Sequence, residues 1–224
     1  MMSSGSPSPS PPPAPPLLQP RLDVVHVDEH LVVLDKPAGV LAVPGRGSAA
    51  GADLWTLACT RWPDARVVHR LDQATSGLWV LARGEAAQRA LARAFAERAV
   101  EKVYEARVHG ELAGDAGEIT LPLAADWPNR PRQRVAHDAA GRAALTRWQV
   151  LQREPGVTRL ALRPITGRTH QLRVHLQVIG HVIVGDRLYG APDSAARLHL
   201  HACALALPHP ASQQRISFNS PVPF

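Results

Sequence analysis

From residue 22 onward, short apolar runs alternate with turn-forming residues, and this pattern restricts the folds that the chain can adopt. Residues 24–27 and 31–34 are two runs rich in valine and leucine, with Asp28-Glu29-His30 between them, and this order predicts a β-hairpin. The 16 glycines and 21 prolines suit a protein with many turns. Further strands are predicted at 67–68, 78–82, 103–109, 117–124, 144–151, 157–163, 181–184 and 198–207.

Three segments have helical periodicity: residues 53–62, 85–98 and 169–179. In the second segment the apolar residues recur at i, i+3, i+4, i+7 and i+8, which is the clearest helical pattern in the chain. Gly180 is expected to end the third helix, and Thr166 or Thr169 to cap its start. Many strands with few helices predict an α+β fold, with a mostly antiparallel central sheet flanked by helices and loops.

The first 20 residues differ in composition from the rest of the chain. They are rich in serine and proline, so they cannot bury apolar surface, and we expect residues 1–20 to form a disordered, extended tail. The remaining residues, 21–224, show no internal repeat and are expected to form a single domain. Hydrophobic residues make up 45% of the 224-residue chain, which is enough for a sizeable core.

The composition also bears on the compartment. The two cysteines, Cys59 and Cys203, lie in apolar stretches and are expected to be buried free thiols, as in a reducing cytosol. We find no secretory signal and no apolar stretch as long as a membrane span. The sequence therefore predicts a cytoplasmic protein with no membrane association.

The chain is basic, with a formal net charge of +6, and a basic surface attracts polyanions such as nucleic acids. The segment 126–134 combines Trp127 with several arginines, among them Arg130, and is a candidate for contact with nucleic acid. Each arginine taken alone is better explained as an ordinary surface charge. Further candidates for phosphate contact are Arg46, Arg61, Arg66 and Lys102.

Asp72 is the first candidate for chemistry. It follows the apolar run 67–68, precedes a turn that contains Gly77, and lies two residues from Arg70. A carboxylate in this position is often only a turn cap. Partly buried and close to an arginine, it would instead stay ionised and act as a nucleophile or base.

The segment 163–175 is the second candidate, because arginines, histidines and a glutamine surround the start of the third predicted helix. Such a helix start can bind phosphate, and Arg168 is placed to do so. Arg173 lies among leucines, so we expect it to point inward and to pair with a carboxylate such as Asp72. Tyr104, in an alternating strand, either packs on the sheet or stacks on a base.

His199 and His201 could suggest a metal site. No cysteine or carboxylate at suitable spacing completes a tetrahedral set of ligands. We therefore interpret the two histidines as ordinary residues of an alternating strand, and we expect no bound metal.

Five segments, in order along the chain, resemble the signature motifs of the RluA family of RNA pseudouridine synthases. They are residues 34–39, 69–77, 102–104, 166–175 and 197–202, and the resemblance covers roughly residues 22–224. Residues 43–46, 126–131 and 185–189 further resemble the dual-specificity members of this family, which act on a hairpin loop of large-subunit (23S) rRNA and on the anticodon loop of tRNA. The resemblance implies the pseudouridine synthase catalytic fold, without the S4-type RNA-binding domain that some relatives add.

The resemblance also implies roles for individual residues. Asp72 matches the catalytic aspartate, Tyr104 the tyrosine that stacks on the target base, and Arg173 the arginine that pairs with the carboxylate. Arg70 matches an arginine implicated in displacing the target base, and Leu200 is expected to pack against the uracil. The implied reaction is an isomerisation that needs no ATP, metal or redox cofactor. RNA is the implied partner; we expect no DNA binding and a monomer.

Three alternatives stay open at this point. A nucleoside or glycoside hydrolase would also use a carboxylate nucleophile, but such enzymes typically need a second carboxylate as the acid. A non-catalytic RNA-binding module would use the basic surface and Trp127 without needing Asp72. A third possibility is a synthase of the same family that acts on a single rRNA site.

Overall fold

A computed structural model describes residues 21–45, 53–191, 193 and 195–224. The predicted disorder of residues 1–20 and the predicted phosphate contact of Arg46 lie outside the described residues.

Most of the described chain is β-structure. The strands, in chain order, are β1 (Asp23–Val27), β2 (Leu31–Lys36), β3 (Ala65–Val67), β4 (Ser76–Arg83), β5 (Glu101–His109), β6 (Ala116–Thr120), β7 (Leu123–Ala125), β8 (Gln133–Val135), β9 (Leu145–Glu154), β10 (Val157–Pro164), β11 (Leu200–Pro208) and β12 (Arg215–Asn219). The helices are α1 (Leu54–Arg61), α2 (Gly84–Ala96) and α3 (Gln171–Val178), with a 3₁₀ turn at Trp127–Asn129. The bounds of the helices agree with the three predicted segments to within a few residues.

One large sheet has the strand order β1-β2-β4-β11-β5-β10-β9-β6, with β3 also paired to β4 and β12 to β11. Strands β4 and β11 run parallel, and the other described pairs in this sheet are antiparallel. Strands β7 and β8 form a separate antiparallel pair. This mixed, mostly antiparallel sheet with three helices confirms the predicted α+β class.

Helices cover both faces of the sheet. Residues of β2 and β4 alternate between one cluster around Leu91 of α2 and another around Leu54 and Ala58 of α1. This is why Leu31–Leu34 is a continuous apolar run, because both faces of the strand are buried. Helix α3 packs Leu172 against the β5, β10 and β11 part of the sheet.

Several predicted elements are wrong in detail. The strand predicted at 117–124 is broken into β6 and β7 around Pro122, which has no N–H to donate to a ladder. The strand predicted at 181–184 is reduced to a single bridge between Ile183 and Val108. Strand β8, which begins in the predicted loop 126–134, and strand β12 were not predicted.

The capping prediction for α3 is also wrong. Its N-cap residue is His170, which has a left-handed backbone (φ 53°) and makes no side-chain cap hydrogen bond. The Thr166 hydroxyl instead donates to the side-chain carbonyl of Gln171 at 2.7 Å. The first turn of α3 is therefore held by side chains that bond to each other.

Cys59 and Cys203 are free thiols, as predicted, although both are only partly buried. Among the described residues, no helix has the length and apolar character that crossing a membrane would need.

Candidate active site

A cleft of about 580 Å³ opens on the α3 side of the sheet, and six of the eight predicted site residues line it. Asp72 lies in the segment that joins β3 to β4, Tyr104 on β5, Leu200 on β11 and Arg173 on α3. Arg70 and Arg168 also line the cleft. Because β4, β11 and β5 are neighbours in the sheet, residues distant in sequence meet at one place.

The close approach of β4 and β11 positions the segment that carries Asp72. Gly77 pairs with Ala202 in the parallel ladder and has φ 109°, a left-handed value that a side chain rarely adopts. A Cβ at this position would overlap the backbone of Ala202. Gly77 therefore lets the turn after Asp72 lie directly against the strand that carries Leu200.

Lys36 holds the same turn from inside the protein. Its ammonium is fully buried and donates to the carbonyls of Pro37, Val40 and Gln73 at 2.8, 2.8 and 3.0 Å. Burial lowers the pKa of Lys36 to about 7, and the charge of Asp72 opposes that shift. The three hydrogen bonds tie residues 37–40 to the turn that begins at Asp72.

His69 holds the other end of the Asp72 segment. Its Nε2 accepts the N–H of Val80 at 3.2 Å, and its carbonyl accepts Nε1–H of Trp79 at 2.9 Å. Its ring stacks on Phe95 with the ring centroids 4.7 Å apart. Burial lowers the pKa of His69 to about 3, and the nearby charge of Lys102 lowers it further. His69 is thus a neutral imidazole with Nε2 as an acceptor.

Replacing His69 with Gln should make the protein less sensitive to acid. Unfolded histidine binds a proton below its usual pKa of 6.5, whereas folded His69 stays neutral down to about pH 3, so folding loses stability as the pH falls between these values. Gln keeps an acceptor for Val80 but binds no proton. The slope of the unfolding free energy against pH should fall by up to about 1.4 kcal/mol per pH unit.

Urea unfolding at pH 6.5, 5.5 and 4.5 measures this slope directly. The matched control is His137→Gln, at an exposed histidine, which should retain the wild-type slope. An unchanged slope in the His69 variant would mean that His69 takes up its proton equally in the folded protein.

The cleft has a strongly uneven charge. Asp72, whose side chain is 20% exposed, is the one carboxylate among the described residues that line it. The cations that line it are Arg70, Arg98, Lys102, Arg168 and Arg173. Such a site attracts a polyanion.

Tyr104 and Leu200 form the apolar part of the cleft. Tyr104 packs against two hydrophobic clusters, one that contains Leu54 of α1 and one that contains Leu172 of α3, so it lies where these clusters meet. Burial raises the pKa of Tyr104 well above its usual value, and the charge of Asp72 raises it further. Its phenol is therefore neutral, and the ring offers a flat surface beside Leu200.

The expected ion pair between Arg173 and Asp72 is wrong in this structure. Arg173 donates through Nε and Nη2 to the two carboxylate oxygens of Asp186, at 2.8 and 2.6 Å, and no N···O distance within 4.0 Å joins it to Asp72. Burial acts to lower the pKa of Arg173, but the hydrogen bonds and charge of Asp186 outweigh it and raise the pKa; the charge of Asp72 adds to the rise. Arg173 therefore contributes positive charge to the cleft while Asp186 binds its guanidinium group.

Among the described residues, the one basic side-chain nitrogen within 4.0 Å of the Asp72 carboxylate is Nε2 of His170, at 4.0 Å from Oδ1. Burial lowers the pKa of His170, although the charge of Asp72 opposes the shift. From the sequence, His170 was expected only as part of a polar helix start, and no role beside Asp72 was predicted for it.

Three of the predicted site residues are exposed to solvent: Arg168, Trp127 and Arg130. Arg168 is exposed and donates through Nε to the carbonyl of Ala143 at 3.1 Å. Trp127 is 68% exposed, and the guanidinium carbon of Arg130 lies 3.3 Å from its ring centroid. This Trp127–Arg130 stack does not line the cleft.

Sequence reasoning also missed Asp186 and Tyr189, which do not line the cleft but bond to Arg173 and His170. Asp186 accepts the N–H groups of Leu188 and Tyr189 at 3.0 Å each, besides its two bonds to Arg173. Both residues belong to the segment 185–189, which we noted for its resemblance to the family without assigning a role to any side chain. A buried arginine requires a carboxylate partner, and that requirement is the signal that points to a residue such as Asp186.

His199 and His201 occupy structural positions. The ring of His199 stacks on Phe224 with centroids 4.6 Å apart, and His201 lies between the hydroxyls of Ser76 and Ser220 at 2.8 and 2.9 Å. Within the part of the chain that the structure describes, no group of three or more His, Cys, Asp or Glu side chains is arranged to hold a metal ion.

Comparison with known proteins identifies the family. The family profile described as RNA pseudouridylate synthase matches residues 30–178, a range that includes Asp72, Tyr104 and Arg173. The chain belongs to the RNA pseudouridylate synthase family. This confirms the resemblance seen in the sequence motifs, and members of this family are isomerases.

Several individual RNA pseudouridylate synthases are similar to this chain over most of their length. The dual-specificity RNA pseudouridine synthase RluA of Vibrio cholerae is 48% identical over 200 residues, covering 88% of this chain and 81% of that protein. The protein of the same name from Escherichia coli is 44% identical over 213 residues, covering 93% and 97%. The structure of human RNA pseudouridylate synthase domain containing 1 superposes with a TM-score of 0.77 at 28% identity, covering 96% of this chain and 87% of that one.

Proposed function

We propose that this protein isomerises uridine to pseudouridine in two RNA substrates, a hairpin loop of 23S rRNA and the anticodon loop of tRNA, with Asp72 as the catalytic carboxylate. The observation that carries the proposal is the single carboxylate among the described residues of a cleft that also contains five cationic side chains, Tyr104 and Leu200. The choice of substrates is supported by relatives named as dual-specificity synthases that share 42–49% identity with the chain.

The geometry suggests how a uridine is accommodated. A nucleotide in a structured loop must leave its stack to reach Asp72, and the base then has a flat partner in Tyr104 and an apolar one in Leu200. Arg70 is exposed at the edge of the cleft, where it can occupy the gap that the flipped base leaves. Arg168, which is exposed, supplies positive charge for a phosphate next to the uridine.

The reaction breaks the bond between N1 and C1′ and rejoins the base through C5. Asp72 acts as a nucleophile at C1′ or C6, or as a base at C2′. The released base must rotate before it is rejoined, and a pocket with few fixed polar contacts permits this rotation. The walls formed by Tyr104 and Leu200 fit that requirement.

The same cleft argues against a hydrolase. Glycosidases typically place two carboxylates on either side of the scissile bond, whereas the described lining of this cleft has one. A second acid would have to come from a residue such as Asp186, but that carboxylate is fully buried and occupied by Arg173.

The test is release of tritium from transcripts that contain 5-tritiated uridine, because only attachment through C5 expels that atom. We expect release from both the rRNA hairpin and the tRNA anticodon stem-loop. Release from the rRNA hairpin alone would indicate a single-site synthase, free uracil would indicate a hydrolase, and binding without release would indicate a non-catalytic module. Pseudouridine mapping in a deletion strain then identifies the target nucleotides.

The Trp127–Arg130 stack is proposed as an RNA contact outside the cleft. An exposed aromatic ring backed by a guanidinium is a suitable surface for an unpaired base. Trp127→Ala should weaken binding of a stem-loop by roughly 5- to 100-fold, which corresponds to loss of one stacked base.

Fluorescence anisotropy with a labelled stem-loop gives the dissociation constant. Trp127→Phe is the matched control, because it retains an aromatic face and should bind within a few-fold of wild type. Wild-type affinity in the alanine variant would exclude Trp127 from the RNA interface. The expectations of a monomer, of no DNA binding and of a cytoplasmic location stay predictions.

A further inference from the structure

A continuous chain of contacts joins Asp72 to the segment that carries Trp127 and Arg130. Nε2 of His170 faces Oδ1 of Asp72 at 4.0 Å, and Nδ1 of His170 lies 2.7 Å from the hydroxyl oxygen of Tyr189. The N–H of Gln133 donates to that same hydroxyl oxygen at 2.7 Å. Gln133 is the first residue of β8, directly after the 3₁₀ turn and loop 127–132.

The hydrogen bonds favour one position for the proton of His170. The Tyr189 hydroxyl already accepts from a backbone N–H, so its own proton is available for Nδ1 of His170. With Nδ1 as the acceptor, a neutral imidazole carries its proton on Nε2, the nitrogen that faces Asp72. Arg173 lies over the Tyr189 ring at 5.0 Å and Tyr189 is buried, so the hydroxyl has a fixed position.

The backbone of His170 has a conformation that is uncommon outside glycine. Its φ of 53° lies in the left-handed region, which only a few per cent of residues other than glycine adopt, with asparagine, aspartate and histidine the most frequent among them. Strained backbone of this kind persists where surrounding contacts enforce it, and it concentrates at functional sites. Here the conformation directs the ring into the space between Asp72 and Tyr189.

We propose that Tyr189 and His170 form a relay from the RNA-facing loop to the catalytic carboxylate, in which His170 is a positioning residue that presents Nε2–H to Asp72. The inference rests on the proposed function and adds to it a residue that orients the reacting group. At 4.0 Å the contact is longer than a hydrogen bond. Catalytic hydrogen bonds that are long in a free enzyme commonly tighten in the substrate complex, and we expect the His170–Asp72 contact to shorten when RNA is bound.

Two substitutions of His170 separate positioning from structure. Gln can place an amide N–H where Nε2–H lies, whereas Asn can reach only toward Tyr189. The relay therefore predicts that His170→Asn loses single-turnover rate by roughly 10- to 100-fold, while His170→Gln retains a rate at least several-fold higher than Asn. A purely structural role predicts the opposite order, because asparagine tolerates the left-handed backbone better than glutamine.

Tyr189→Phe tests the other member of the relay. It removes the hydroxyl but keeps the ring that packs beside Arg173, so RNA affinity should be retained while the single-turnover rate falls. Combined with His170→Asn it should cause no further loss, since both changes break the same chain of contacts. Dissociation constants and melting temperatures are measured for each variant alongside the rate.

Each outcome decides the proposal. The relay is supported if the Gln variant is faster than the Asn variant and the double variant matches the slower single variant. It is overturned if the Asn variant is as fast as Gln, if the two losses multiply, or if the rates follow the melting temperatures. Absence of tritium release from wild-type enzyme would overturn the proposed function as well, so the two failures are distinguishable.

Discussion

Asp72→Asn is expected to lose pseudouridine formation while it continues to bind RNA. The substitution keeps the size of the side chain but removes the negative charge and the nucleophilic oxygen. Variants that lack a catalytic nucleophile or base lose roughly three orders of magnitude or more in rate. Tritium release under single-turnover conditions measures the loss, and anisotropy with a labelled stem-loop measures the binding.

A matched carboxylate provides the control for Asp72. Asp115→Asn removes a charge from a side chain that is 87% exposed and pairs with Arg153 on the surface, so its rate should equal that of wild type. The Asp72 variant should melt close to wild type, because its side chain makes no ion pair shorter than 4.0 Å among the described residues. Near-normal turnover in the Asp72 variant would remove this residue from its proposed role.

The sequence predicted best those elements whose signal is local. Helix α2 has apolar residues on one face over its full length, and Gly84–Ala96 agrees closely with the predicted 85–98. The hairpin of β1 and β2 is defined by two apolar runs and a short turn. Strand β12 was missed because its two apolar residues, Ile216 and Phe218, are too few to be distinguished from a polar C-terminal segment.

The residues that line the cleft were predictable from the sequence, but the carboxylate that pairs with Arg173 was not. Motif residues on four separate elements do line one cleft, as the family resemblance implied. The partner of Arg173 depends on which of two carboxylates lies closer to its guanidinium in three dimensions. Asp186 is brought there by the turn after Ile183, where its oxygens also accept two backbone N–H groups, and spacing along the sequence contains no measure of that arrangement.

Asp186→Ala is expected to be among the most destabilising single changes in this protein. It leaves Arg173, which is 6% exposed, as a buried charge without its partner, and it removes the acceptor of two backbone N–H groups. Breaking a buried pair in this way costs roughly 3–5 kcal/mol. For a chain of this size the melting temperature should fall by about 6–20 °C.

Two further variants show whether the unpaired charge causes this loss. Asp115→Ala breaks an exposed pair and should cost less than about 1 kcal/mol. Adding Arg173→Met to Asp186→Ala removes the stranded guanidinium and should recover part of the lost stability, because an apolar pair can replace a buried ion pair. If Arg173 supplies needed charge to the cleft, this double variant regains melting temperature but not pseudouridine formation. Recovery of both would mean that Arg173 supports only the fold, and recovery of neither would mean that the turn held by Asp186 matters more than the charge.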